Sequence, residues 1–140
     1  MNTEGEVAVL DYGSQYSQLI VRRVRDLGYT SHLYAPEKLG SLNKPGAIIL
    51  SGGPRSTSEE NAPDVDHPKL MSFGVPVLGV CYGMQLLNIK YGGTVKPGRS
   101  AATTLVIFAR WLSCSAMYLM DSGRFMMAAS AMTIGATPPI

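Results

Sequence analysis

The sequence predicts an open, mostly parallel, doubly wound α/β sheet, and three observations predict it. Short, continuous apolar runs recur through residues 1–99, Val7-Ala8-Val9-Leu10 and Ala47-Ile48-Ile49-Leu50 being the clearest; runs without polar alternation suit strands covered on both faces. Between the runs lie stretches with apolar residues at helical spacing, the alternation expected of crossover connections. Several runs end in loops of unusual composition, and such sheets hold their ligands at the carboxyl ends of their strands.

The elements follow in order. Val7-Ala8-Val9-Leu10 ends at Asp11-Tyr12-Gly13. Over 14–27, Tyr16, Leu19 or Ile20, Val24 and Leu27 recur at helical spacing while Arg22 and Arg25 fall outside, and Gly28 stops the helix. Residues 29–34 alternate as a second strand, 47–50 form a third and 75–80 a fourth, with Pro76 tolerated near its start. A helix over about 82–91 follows, with Met84, Leu87 and Tyr91 on one face and Gly92-Gly93 closing it. The loops 11–14, 51–54 and 80–83 are therefore expected to lie together.

A chain of 140 residues fits one domain, and 46% hydrophobic against 16% charged residues can fill a core. A formal charge of +2 is too small to imply a nucleic-acid or membrane partner, and neither is expected. Cys81 and Cys114 cannot make a disulfide framework and no cationic, apolar leader opens the chain, so a reducing, cytoplasmic setting is expected. The longest apolar approach, 101–120, is interrupted by Arg110.

Charge divides the chain in two. Up to Arg99 there are ten Lys or Arg and nine Asp or Glu; from Ser100 onward only Arg110, Asp121 and Arg124 remain, with five of the eight methionines and the one Trp. Residues 1–99 thus read as a partial domain, and 100–140 as an atypical tail resembling out-of-frame translation or a replaced last exon. Apolar bulk with few cap or turn signals is expected to collapse without one specified packing, poorly ordered or irregularly docked.

The central chemical signal is Gly79-Val80-Cys81-Tyr82-Gly83, the cysteine counterpart of the G-x-S-x-G nucleophile elbow. A sharp strand-to-helix turn lifts the middle side chain above the sheet, and the flanking glycines answer crowding by nearby chain. Partial positive charge at a helix N-terminus favours thiolate, the attacking species. The plain alternative is a small buried cysteine. Ser51-Gly52-Gly53-Pro54 would face the elbow, where adjacent glycines can aim N–H groups at an oxyanion, or simply make a turn. His32 reads as a strand-surface histidine and His67 as a loop histidine. Asp64, Asp66 and His67 are too compact a group for a metal site, and none is expected. Arg22, Arg23 and Arg25 read as a solvated helix face before a phosphate clamp.

Leu10-Asp11-Tyr12-Gly13-Ser14-Gln15-Tyr16, Ser51-Gly52-Gly53-Pro54 and Gly79-Val80-Cys81-Tyr82-Gly83-Met84-Gln85, in this order and at these separations, resemble class I glutamine amidotransferases. Asp-Tyr-Gly-Ser-Gln-Tyr, Arg22-Arg23-Val24-Arg25 and the Cys-Tyr-Gly-Met-Gln elbow are similar to glutaminase domains of the GMP synthase family. The resemblance covers about residues 6–99. It implies a flavodoxin-like fold in which Cys81 attacks the side-chain amide of glutamine to give a glutamyl thioester and ammonia. The N–H groups of Gly53 and Tyr82 would form the oxyanion hole, and Gly52 and Gln85 would help bind glutamine. No cofactor is implied for this domain; ATP and Mg²⁺ belong to a separate synthetase domain or subunit that aminates XMP to GMP.

The class also implies a His and a Glu two residues apart, downstream of the cysteine, to move protons. Here both histidines precede Cys81 and the last glutamate is Glu60. The chain as given is accordingly expected to be catalytically impaired, and a non-catalytic, flavodoxin-like binding module with a reactive thiol is the alternative reading.

Overall fold

The computed structural model describes residues 5–55, 57, 59–92 and 95, together with the backbone of three strands between 105 and 130. Strand β1 (Val7–Leu10) is apolar throughout because both its faces are covered. Val9 packs with Val21 of helix α1 (Ser17–Asp26) and with Ile49; Ala8 and Leu10 enter a larger cluster on the opposite face with Ile48, Leu50, Leu70 and Leu87. Strand β3 (Ala47–Leu50) divides its side chains between the two faces in the same way. Each fully buried Leu or Ile contributes about 1.5–3 kcal/mol relative to exposure, so these two strands carry much of the core.

Strand β2 (Ser31–Tyr34) pairs with β1 on one side and β3 pairs with β1 on the other, while β4 (Val77–Val80) lies beyond β3; all three pairings are parallel. Helix α1 covers one face on the way from β1 to β2. Helix α2 (His67–Ser72), helix α3 (Tyr82–Lys90) and a 3₁₀ turn (Pro36–Ser41) contribute Leu70, Leu87 and Leu39 to the cluster on the other face. The winding therefore reverses between β1 and β3, which opens a crevice at their carboxyl ends. The doubly wound fold read from the sequence is the one observed.

Several boundaries and faces differ from the sequence reading. Helix α1 begins at Ser17, not at 14, because Ser14 makes a turn of its own: its carbonyl accepts the Ser17 N–H and its Oγ accepts the Tyr16 N–H. Tyr16, Leu19 and Leu27, expected on the apolar face, are more than half exposed, and Val21, Ile20 and Val24 pack inward instead. Strands β2 and β4 begin two residues later than expected, and Tyr91 caps α3 rather than ending it. Gly93 lies outside the described residues.

Beyond 99 the sheet continues. Strand β5 (Leu105–Trp111) pairs antiparallel with β4, and β6 (Cys114–Asp121) and β7 (Arg124–Ser130) follow as an antiparallel meander, giving the order β2-β1-β3-β4-β5-β6-β7. The run at 131–140 lies outside the described residues. Among the described residues no helix is long and apolar enough to cross a membrane.

Helix α2 corrects the reading of His67 as a loop residue. Asp66 caps the helix by accepting the Lys69 N–H at 2.9 Å, and Pro68 sits in the first turn, where its missing N–H costs nothing. His67 packs edge-on against Tyr91 at 5.0 Å between ring centroids, and its Nε2 is buried without a partner among the described residues. Burial first, and the nearby Lys90 charge second, hold its pKa below the usual 6.5. Since the unfolded chain then takes up this proton more readily than the folded one, stability should fall as pH drops below about 6.5. Urea unfolding midpoints measured between pH 5 and 8 are expected to show this fall, and His67→Phe, which keeps the ring contact, should flatten it.

Candidate active site

Three loops meet at the carboxyl ends of β1, β3 and β4, as the sequence suggested. Cys81 follows β4 directly and is the N-cap of α3, with φ 48° and ψ −107°. This conformation is strained for a side-chain-bearing residue and costs about 1–3 kcal/mol, which the surrounding packing must offset. Its consequence is exposure: Cys81 is open to solvent, which excludes the reading of a small buried core cysteine.

The glycines on either side permit the turn. A Cβ on Gly79 would stand 2.7 Å from the Met84 nitrogen, and one on Gly83 would stand 2.3 Å from the Leu50 carbonyl oxygen. Helix α3 can approach β3 this closely only through Gly83. The approach is used, because the Gly83 N–H donates to the Ser51 carbonyl at 3.1 Å. The Gln85 N–H donates to the Cys81 carbonyl at 3.0 Å and closes the first turn, which sets Gln85, half-buried, on the same helix face as Cys81.

Tyr82 is buried, with its hydroxyl donating to the Pro63 carbonyl and its ring 5.2 Å from that of Tyr12. Burial pushes the Tyr82 phenol up, with the Asp64 charge adding to it. The Tyr12 phenol is raised further for the same first reason, followed by the Tyr82 and Asp64 charges. Both rings act as walls of the site rather than as acids near neutral pH.

Gly52 lies against the elbow: a Cβ on it would meet the Cys81 Cβ at 3.4 Å. Gly53 touches the loop after β1, where a Cβ would stand 2.5 Å from the Tyr12 carbonyl oxygen. Ser51 ties these loops together. Its Oγ accepts the Tyr12 N–H at 3.0 Å, lies 3.0 Å from the Ser17 Oγ, and donates to the Gly52 carbonyl at 3.0 Å. The single Ser17 hydroxyl proton has two acceptors within reach, the Ser51 Oγ and Asp11 Oδ1 at 2.8 Å, the latter an oxygen that also accepts the Gly13 N–H at 2.9 Å. Beside this network a cavity of about 320 Å³ is lined by Gly13, Ser14, Gln15, Tyr16, Gly53 and Pro54. The sequence reading did not single out Ser17; a hydroxyl in an otherwise apolar helix face was the available signal.

A family model of the class I glutamine amidotransferases matches residues 8–128. The chain belongs to this family. The match runs beyond Arg99, where the motif-by-motif resemblance ends. Among curated proteins, the GMP synthase [glutamine-hydrolyzing] of Maridesulfovibrio salexigens is 50% identical over 99 residues, covering 68% of this chain and 19% of that protein. Those of Lactobacillus delbrueckii subsp. bulgaricus and Prochlorococcus marinus are 49% and 50% identical over 100 and 103 residues, each covering 69% of this chain and 19% of the relative. The chain thus spans about a fifth of the length of the curated relatives it matches.

As an amidotransferase domain, the chain brings Cys81, Gly52, Gly53, Tyr82 and Gln85 to one crevice, and leaves both histidines elsewhere. His32 lies on β2, three places from β4 in the strand order, with its Nδ1 2.8 Å from Glu6 Oε2. Glu6, 1% exposed, also accepts the Tyr34 hydroxyl at 2.5 Å; burial, then this hydrogen bond, pushes the Tyr34 phenol up to about 12. This cluster secures the edge strand. The arginines match the solvated-face reading: Arg22, Arg23 and Arg25 are exposed, and Arg25 donates its Nε–H to the Ser31 carbonyl at 2.8 Å.

Proposed function

We propose that this chain is the glutamine-hydrolysing part of a GMP-synthase-type enzyme, with Cys81 as nucleophile. The observation that carries the reading is the strained, solvent-open Cys81 at the start of α3 with Gly52 against it. In this mechanism the Cys81 sulfur attacks the carbon of the glutamine side-chain amide, and the electron pair of the C=O moves onto oxygen. The N–H groups of Gly53 and Tyr82 stabilise that oxyanion. The Gly83 N–H is already engaged by Ser51, which leaves the Tyr82 N–H as the donor offered by the elbow. Collapse of the intermediate breaks the C–N bond; nitrogen takes up a proton and leaves as ammonia. Water then hydrolyses the thioester to glutamate and restores the thiol.

Gly52 and Gln85 help seat the substrate in this reading. The ammonia goes to a synthetase domain or subunit in the cytoplasm, where ATP and Mg²⁺ support amination of XMP. The domain itself uses no cofactor. With His32 and His67 engaged at other places in the fold, the chain has no histidine beside Cys81 to move the protons, and its own turnover is slow.

A chloromethyl ketone analogue of glutamine tests the nucleophile. The thiolate displaces chloride, forming a C–S bond. Mass spectrometry of the labelled peptides is expected to find Cys81 modified at least about tenfold faster than Cys114, with free glutamine protecting it. Predominant labelling of Cys114 would remove the case for Cys81.

A further inference from the structure

We propose that Ser17 and Ser51 are positioning residues that lock the Gly52–Gly53 peptide in the orientation needed for oxyanion binding; this rests on the glutaminase reading above. Ser17 is 1% exposed and Ser51 0%. Neither hydroxyl reaches solvent, so each must satisfy itself within the fold.

The proton inventory shows how the lock operates. A hydroxyl has one proton and two lone pairs. The Ser51 Oγ accepts the Tyr12 N–H, and when Ser17 donates to it as well, both lone pairs are filled. The Ser51 proton then has the Gly52 carbonyl, 3.0 Å away, as its acceptor. In a trans peptide the carbonyl and the following N–H point in opposite directions, and no peptide bond described here is cis. Holding the Gly52 carbonyl toward Ser51 therefore turns the Gly53 N–H the other way.

Adjacent glycines make such a peptide easy to rotate, since neither residue has a Cβ to restrict it. The hydrogen bond from Ser51 supplies the missing restraint. Asp11 Oδ1, 2.8 Å from the Ser17 Oγ, is the competing acceptor for the Ser17 proton. Because the Tyr12 N–H donates to the Ser51 Oγ, the turn after β1 and the oxyanion loop are joined directly whichever acceptor the Ser17 proton takes. The main chain of Ser51 completes the coupling by accepting the Gly83 N–H of the elbow.

The full chain, Ser17→Ala, Ser17→Thr and Ser51→Ala are compared with two electrophiles. The chloromethyl ketone analogue of glutamine needs its carbonyl polarised, whereas iodoacetamide reports only the exposure and ionisation of Cys81. The ratio of the two Cys81 labelling rates is the readout, taken on variants whose thermal unfolding matches the parent's, because loss of the fold would itself lower the ratio. Ser17→Ala and Ser51→Ala are expected to lower the ratio about tenfold, and Ser17→Thr, which keeps the hydroxyl, to remain within about twofold of the parent. An unchanged ratio in Ser17→Ala overturns the proposal; if that variant does not fold, an unchanged ratio in Ser51→Ala does so. A parent chain showing no preference for the glutamine analogue overturns the glutaminase reading instead.

Discussion

Ammonia release from glutamine by the 140-residue chain is expected to stay near the uncatalysed rate, and to rise by about 10²- to 10⁴-fold when a histidine and glutamate are supplied downstream of the elbow. The expectation follows from where the two histidines are held. His32 is bound to Glu6 on the edge strand, and His67 begins α2 against Tyr91. An exposed cysteine can add to the amide carbon, but collapse of that adduct to the thioester expels ammonia and requires a proton that no placed acid delivers. A chimera carrying a relative's sequence after Arg99, assayed for ammonia beside the parent chain, makes the comparison. Cys81→Ala in the chimera should return it to background. Robust hydrolysis by the parent chain would make His32 or His67 the base and require the crevice to rearrange.

Gly83→Ala should be the most damaging single methyl group in the described fold. Its Cβ would stand 2.3 Å from the Leu50 carbonyl oxygen and 2.5 Å from the Leu50 Cβ. Strand β3 cannot yield, being paired on both sides, so α3 must lift and the Gly83–Ser51 hydrogen bond must lengthen or break. Overpacking of this kind costs about 3 kcal/mol or more, enough to lower the melting temperature by about 10 °C in a chain of this size. Labelling of Cys81 by the glutamine analogue should be lost with it, because the elbow moves. Gly92→Ala is the control: φ is +82° there but nothing lies within 4 Å of the added Cβ, so only backbone strain of about 1 kcal/mol is expected. Equal stability of the two variants, measured by thermal unfolding, would mean that α3 does not rest on β3 as described.

Strands β1 and β3 were legible in the sequence to the residue, because burial on both faces demands an unbroken apolar run and little else in a short domain does. The elbow was legible for a different reason: Gly79 and Gly83 answer steric demands that no other residue meets, so the chemistry around Cys81 is written in residue identity. The face that α1 presents was not. Tyr16, Leu19 and Leu27 satisfy helical spacing as well as Ile20, Val21 and Val24 do, and only docking on Val9 and Ile49 chose between them.

Helix α2 had a local signal in Asp66 and Pro68, but six residues give too little periodicity to outweigh a polar, loop-like segment. The sequence by itself determined the doubly wound class, the first four strands, the loops of the crevice and its cysteine, because each depends on local pattern or on a residue type with one physical use. The tertiary structure decided which hydroxyls join Asp11 to Gly52, where the histidines sit and how the sheet continues past β4. Those outcomes depend on pairings between residues far apart in the chain, such as Ser17 with Ser51 and Leu105 with Val80. Such contacts leave no period in the sequence, since the energy that selects them exists only once both partners have been brought together.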